Sequence, residues 1–453
     1  MPKIERNCRL PLTMLAAAVP LFCSATASAQ QGGGGSTCEV AQTLLPKGTE
    51  LPENPICASL SPTLFGTRDS LNEKGISING YLTYQGSYDV LGHNRFSTGP
   101  QTYNGQRWSS MSTQLVDFAF NLERYGWGEN SQVVLKLSNN RTNYKDYAPS
   151  DAYVQMFAYY RTFNEGRQAF QVGYTAMGAT FYGPTVGISQ SQSVLGYASS
   201  VPLQLGLAMF QPQPSLDARF LSSDKSWYGH FGIGRSVNPD GFGAYADENP
   251  VGLKWHASNA KAVYIGEAGY RPAPSASRSV WIRAGAIHNE SGFQKLDQAY
   301  GTPAADRDSN NAYYALADVQ LTQPVEAAPY QGWYLNVKAD KADEDRTVFY
   351  KDWGFTFYRI GTFASRPGDL FSLSMSRSYY SQDFTNLLKA AGYRTVDYTT
   401  TTSATYSMVI RRGIFLSLGL AYGDHPTAYE YDPFYNHRYR DTLSVLTSFS
   451  IAF

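Results

Sequence analysis

From Ile76 to Val90 the chain alternates in character, with Ile76, Ile78, Gly80, Leu82, Tyr84, Gly86, Tyr88 and Val90 on even positions and Ser77, Asn79, Tyr81, Thr83, Gln85, Ser87 and Asp89 on odd ones. A period of two belongs to a strand with one apolar and one polar face, and a helix cannot satisfy it. The order recurs where Val116, Phe118, Phe120 and Leu122 alternate with Asp117, Ala119, Asn121 and Glu123, and where Val133, Leu135 and Leu137 alternate with Gln132, Val134, Lys136 and Ser138. Similar segments lie near 153–163, 168–176, 201–210, 226–236, 251–258, 261–271, 279–288, 312–323, 332–340, 354–363, 369–380, 402–412 and 413–422. At the C-terminus Leu443, Val445, Phe449, Ile451 and Phe453 oppose Ser444, Ser448, Ser450 and Ala452, with Thr447 the weak member of the apolar side. Strands of this kind fit a wall with lipid outside and a polar lumen inside, and a barrel closed from one chain uses an even number of them. The pattern therefore predicts an all-β fold, a transmembrane antiparallel β-barrel of sixteen strands, with eighteen the next choice.

Two kinds of connection separate the strands. Leu91 to Arg107, Asn139 to Ser150, Pro212 to Lys225, Asn289 to Asn311, Asp383 to Asp397 and Asp424 to Arg440 are rich in Asn, Asp, Pro and Gly and long enough for extracellular loops. Short ones such as Arg411-Arg412-Gly413 read as periplasmic turns.

The N-terminus has a different character. Lys3, Arg6 and Arg9 precede a mostly apolar stretch from Leu10 to Phe22, and Ala27-Ser28-Ala29 offers a small-residue cleavage site, so residues 1–29 read as a secretory signal peptide. Residues 30–74, carrying a Gly-rich leader and Pro46, Pro52, Pro55 and Pro62, read as a short periplasmic arm, and 75–453 as the barrel. Cys8 and Cys23 leave with the signal, so Cys38 and Cys57 remain as a candidate disulfide in an oxidising compartment.

Composition adjusts this picture in three places. Past the signal no apolar run is long enough for a membrane helix, and mean hydropathy is −0.34. Aromatic residues make up 14% of the chain, with 34 Tyr, 24 Phe and 7 Trp, an excess that interfacial girdles would absorb. Lys plus Arg balance Asp plus Glu at 37 each, which leaves no polycation to hold nucleic acid.

With the apolar phase facing lipid, the opposite phase lines the lumen with Asp117, Asn121, Glu123, Lys136, Gln171, Trp281, Arg283, Asp318, Gln320, Asn336 and Lys338. Mixed charge suits a neutral polyhydroxyl solute: carboxylates accept from hydroxyls, Arg and Lys donate, and an aromatic face packs on the C–H side of a pyranose. These charges can equally pair across the lumen and brace the wall. The strand from Lys261 to Arg271 is ambiguous, because Glu267 shares its parity with Val263 and Ile265 and so either faces the lumen beside two apolar residues or follows a bulge. Arg95, Arg107, Trp108, Arg141, Trp227 and Arg235 read as loop residues, for which two positions stay open, folded inward at a constriction or on the outer surface.

The C-terminal Phe449, Ile451 and Phe453 resemble the signal that the barrel assembly machinery reads in outer-membrane barrels. The chain as a whole resembles the carbohydrate-selective porins of the OprB type. The resemblance starts at Leu64-Phe65-Gly66, Arg68, Leu71 and Lys74-Gly75-Ile76, and continues through Tyr84-Gln85-Gly86 and Val90-Leu91-Gly92. It resumes at Gly361-Thr362-Phe363, Arg366-Pro367-Gly368-Asp369 and His425-Pro426. Two departures concern the loops: Gly66-Thr67-Arg68 replaces the family's Asp-Trp-Gly-Gly before the Arg, and His93-Asn94-Arg95-Phe96-Ser97 replaces an Asn with paired Gly. The resemblance implies a sixteen-stranded channel in the outer membrane of a Gram-negative bacterium. Such a channel passes glucose or other small neutral sugars by passive diffusion, with no cofactor and no metal.

A general diffusion porin is the alternative within the same class. An outer-membrane hydrolase is the alternative outside it, and an adhesin is another. The six His residues, His93, His230, His256, His288, His425 and His437, are scattered, and neither G-x-S-x-G nor H-E-x-x-H occurs. The residues point to a channel rather than an enzyme.

Overall fold

The computed structural model describes residues 46–48, 56–93, 107–143, 151–182, 200–207, 211–272, 278–297, 307–433 and 436–453. The expected signal peptide, the Gly-rich leader, Cys38 and Arg95 lie outside the described residues. Cys57 is engaged in a disulfide.

The strands are β1 (Ile76–Asp89), β2 (Trp108–Asn121), β3 (Gln132–Thr142), β4 (Asp151–Phe163), β5 (Gln168–Thr175), β6 (Gln213–Leu221), β7 (Trp227–Arg235), β8 (Ala262–Tyr270), β9 (Val280–Gln294), β10 (Arg307–Gln320), β11 (Gly332–Ala342), β12 (Phe349–Ile360), β13 (Leu370–Tyr380), β14 (Arg394–Thr395), β15 (Tyr398–Arg411), β16 (Ile414–Asp424), β17 (Tyr429–Asp432), β18 (His437–Arg438) and β19 (Thr442–Ala452). Sixteen of them pair antiparallel around a closed barrel, each with its sequence neighbour, and β1 closes on β19. The remaining three, β14, β17 and β18, form a small sheet in the last two long loops. Closure satisfies every strand edge, which a lipid-facing wall requires.

The period of two holds around the wall. Leu82, Phe157, Val172, Phe231, Ile282, Val337, Leu373, Leu418 and Phe449 are exposed on the outer phase, while Thr83, Asp117, Gln171, Asp318, Ser374 and Ser448 are buried on the inner one. At the short-turn rim Trp127, Phe163, Trp227 and Phe363 are exposed. Trp227 packs on Tyr270 at 4.8 Å and Trp333 stacks on Phe357 at 4.4 Å, which groups amphipathic rings at this rim.

Three expectations are corrected. Residues 201–210 form no strand: Ser200–Gln204 is a short helix, because Pro202 lacks the N–H that a ladder needs and Gly206 turns the chain at φ +84. Residues 251–258 run through turns, with Gly252 at φ +88. Conversely Pro212 to Lys225, expected as a loop, contains β6; Pro214 sits at its second residue, where a missing N–H is tolerated.

The rim on the short-turn side is stapled by two of the motifs that carried the family resemblance. Arg68, fully buried on the helix Thr67–Glu73, donates to the carbonyls of Ile78 at 3.0 Å, Ser61 at 3.0 Å and Pro62, fixing the lead-in to β1. In the β12–β13 turn Asp369 holds Arg366, accepts from Tyr406 Oη at 2.6 Å and accepts from Val409 N at 3.0 Å. Long loops crown the opposite rim. There Phe349, Tyr380, Phe384, Leu388, Tyr429 and Tyr439 make an apolar cap over the helix Gln382–Ala390, whose N-cap Ser381 accepts from Phe384 N.

Candidate functional site

The inner wall has two unlike halves. On β13 and β15 the inward positions are Ser372, Ser374, Ser376 and Ser378 facing Thr405, Ser403, Thr401 and Thr399 in register. β19 adds Ser444, Ser448 and Ser450, and β1 adds Thr83 and Ser87. Neighbouring hydroxyls bond across strands, Ser372 to Thr405 at 2.7 Å and Thr83 to Ser450 at 2.6 Å. This half was not singled out in the sequence analysis. Its signal was present in the alternate serines from 372 to 378.

The other half carries the charge. Asp117 and Lys136 face each other in register, 3.5 Å apart. Lys338 Nζ lies 3.1 Å from Asp340 and 2.7 Å from Asp352, which pair across β11 and β12. Asp318 accepts from Tyr358 Oη at 2.9 Å and from Asn336 at 3.1 Å, and Gln320 donates to the Pro329 and Gln331 carbonyls. In each case the charge is held by a specific partner.

Onto this charged half folds the long connection from β5 to β6. Its described parts pack Met177, Phe181, Tyr182, Val201, Leu205 and Leu207 against the inward Val263, Ile265, Ile287, Ala312, Tyr314 and Leu316 of β8, β9 and β10. Burying each such side chain contributes roughly 1.5–3 kcal/mol. This packing resolves the parity of Glu267, which faces inward beside Val263 and Ile265 in an unbroken register, while the two apolar residues are covered by the loop. Gly232 leaves room for it: a Cβ there would lie 2.6 Å from the Phe181 ring.

Polar clamps fix the loop. Arg283 donates to the carbonyls of Phe181 at 2.8 Å and Tyr182 at 2.7 Å, lies 3.7 Å from Glu267 and stacks 3.8 Å over Trp281. Glu267 accepts in turn from Tyr228 and Tyr314, both at 2.8 Å. Tyr182 Oη donates to Asp340 at 3.1 Å, Phe181 stacks on His230 at 3.9 Å, and His230 bonds Asp217 at 2.9 Å. Gln204 exchanges two hydrogen bonds with the Phe349 backbone, and Asn289 donates to Leu205 O at 2.7 Å.

Among the residues named from sequence, Asp117, Lys136, Gln171, Trp281, Arg283, Asp318, Gln320, Asn336 and Lys338 sit buried on the inward phase, with Asn121 half-buried at the end of β2. Glu123 does not line a strand: β2 stops at Asn121, and Glu123 opens an exposed turn in which it accepts from Asn130 N at 3.2 Å. Trp108 and Trp227, each the first residue of its strand, are exposed. Arg235 ends β7 and donates to the Lys254 carbonyl at 3.0 Å, while Arg141 is exposed on β3. The inward phase was legible, but the loop that covers part of it was not.

The described residues 46–48 touch this wall. Lys47 N donates to Gln132 at 3.0 Å, and Gln171, its amide oriented to satisfy both neighbours, donates to Gly48 O at 2.9 Å and to Asp217 at 3.0 Å. Burial holds the Lys47 ammonium below the usual lysine range, and Glu123 opposes that shift.

A barrel of this strand number and closure, with a loop folded against its inner wall, has the architecture of a porin. The family model for the carbohydrate-selective porins, OprB family, matches residues 151–443. The chain belongs to the OprB family. It is an outer-membrane porin of a Gram-negative bacterium. Among solved structures it is similar to Pseudomonas putida OprB in a high-pH form, with TM-score 0.71, 14% identity, and coverage of 87% of this chain and 98% of that one. The low-pH form of the same protein matches with TM-score 0.53, 11% identity and the same coverage. At these identities the likeness shows the fold. No curated protein sequence matches the chain significantly.

Proposed function

We propose that this OprB-family porin passes small neutral sugars, monosaccharides such as glucose or similar polyols, by passive facilitated diffusion. The observation that carries the reading is the two-sided lumen: a ladder of Ser and Thr hydroxyls faces a wall of paired charges and tyrosines. Hydroxyls donate and accept alike, so they exchange readily with sugar hydroxyls. Along the charged half, Asp117 with Lys136 and Lys338 with Asp340 and Asp352 are paired internally, so that stretch of wall sets up no one-signed field to select ions. A solute sheds part of its water for these partners and is held weakly enough to leave.

The reading extends to three further roles. Phe449, Ile451 and Phe453 serve as the assembly signal, the outward belt contacts outer-membrane lipid, and Cys38 pairs with Cys57. A general diffusion porin is the competing reading, since paired charges also brace a wall. Liposome swelling separates the two. Monosaccharides entering several-fold faster than amino acids of like size support the proposal, and equal rates would leave a general porin.

A further inference from the structure

At the short-turn rim the connections β4–β5 and β6–β7 and the described ends of the β8–β9 connection, Arg271, Pro272, Arg278 and Ser279, come together around a cavity of about 430 Å3. Backbone bonds tie these turns to one another, Leu221 N to Arg167 O at 2.8 Å and Arg271 N to Ser226 O at 2.7 Å. Among the described residues five cations line the cavity, Arg167, Arg219, Lys225, Arg271 and Arg278, and no carboxylate does. Four of the five are exposed, and Arg219 is half-buried.

This concentration of one sign contrasts with the rest of the charged half. Of the wall carboxylates nearby, Asp217 bonds His230 and also faces the charge of Arg219, and Asp318 accepts from Tyr358 and Asn336 and also faces the charge of Arg271, which leaves Arg167, Lys225 and Arg278 as the exposed excess. One aromatic side chain, Tyr160, is among the described lining residues, and two of the guanidiniums are seated on buried rings. Arg219 lies 4.4 Å over Tyr228, and Arg271 lies 4.3 Å over Trp281, the same ring that Arg283 covers from its site under the inner loop.

We infer that this periplasmic vestibule is a binding site for anionic sugars, that is, sugar acids carrying a carboxylate beside a pyranose ring. The inference rests on the sugar-channel reading above and narrows it: an acidic sugar passing this rim meets cations for its carboxylate and Tyr160 beside them for its ring. Five like charges around a cleft also raise the local concentration of an anion.

Single-channel current through the full refolded chain in about 0.1 M KCl, where screening is moderate, tests it. Glucose, glucuronate or acetate is added on the periplasmic side. Glucose and glucuronate share a ring and differ in one carboxylate, and acetate supplies the carboxylate alone. The expected result is block by glucuronate at about tenfold lower concentration than glucose, the factor that a charge-assisted bond provides, with acetate far weaker. In R167Q/K225Q/R278Q the ratio should fall toward one. Should that variant not fold, R278Q, at an exposed side chain, is read in the same way.

A wild-type ratio near one with glucose still blocking overturns the inference and leaves the sugar channel standing. A ratio unchanged in the variants, or acetate as potent as glucuronate, overturns it too. Block by no sugar removes the sugar-channel reading, and this one with it.

Discussion

Gly80 and Phe453 exchange both backbone hydrogen bonds, Gly80 N to Phe453 O at 3.0 Å and Phe453 N to Gly80 O at 2.9 Å, and so the final residue of the chain closes the barrel onto its first strand. A Cβ on Gly80 would meet the Phe453 ring at 2.8 Å and Leu115 O at 2.7 Å. Gly80→Val should therefore strain this seam by about 1–3 kcal/mol. The shift from folded to unfolded mobility on a denaturing gel should occur at a lower temperature, and an unmoved transition would show that the ring swings aside. Phe453→Ala should lower the yield of folded barrel in cells more than the conductance of the barrels that form.

Arg283 joins the inner loop to the wall through two carbonyls. Arg283→Ala removes both donors and the cation beside Glu267; breaking a buried pair of this kind costs about 3–5 kcal/mol. The wall ladders are untouched, so the variant should remain a barrel. Its single-channel conductance should rise and its discrimination among sugars fall. Unchanged currents would mean that the loop is held without this clamp.

Lys338 stands between Asp340 and Asp352. Lys338→Met leaves the two carboxylates facing each other in register without their cation, and it should destabilise the barrel by about 3–5 kcal/mol. K338M/D340N/D352N removes the repulsion and should recover most of the loss in urea unfolding in detergent. A triple variant no more stable than K338M would show that the cation contributes through packing.

In the loop cap, burial and the neighbouring Asp297, Glu344 and Asp345 raise the Asp383 carboxyl above the usual range. A raised acid binds its proton more tightly when the cap is folded. The cap is therefore most stable below the ordinary carboxylate value, and it weakens as pH rises from there through the raised one. Hydrogen exchange of the helix Gln382–Ala390 should be slower at acidic than at neutral pH, and Asp383→Asn should reduce the difference. An identical pH dependence in the variant would assign the effect to its neighbours.

The wall was legible in the sequence because each of its residues obeys a local rule: side chains alternate across a strand whatever the strand meets. The all-β class and the inward phase of Asp117, Arg283 and Lys338 follow from that rule, whereas the number sixteen needed the even count of a closed barrel as well, since alternation alone offered two segments that are no strands and missed β6. The errors arise where a segment answers to partners far along the chain. Val201, Leu205 and Leu207 looked like a strand because they present an apolar face, but that face is met by Val263 and Ile287 from the inner wall. Glu267 looked ambiguous for the same reason, since the cover on its apolar neighbours comes from another part of the chain. Glu123 was assigned by extending a parity two residues past the point where β2 ends.

The central claim is selective passage of small sugars, and planar-bilayer conductance of the refolded chain tests it most directly. Glucose, other monosaccharides, disaccharides and amino acids would be added in turn at equal concentration. Stepwise openings blocked in graded fashion by monosaccharides, and little by amino acids, are the predicted result. Openings that no sugar blocks, or that sugars and amino acids block alike, would contradict it.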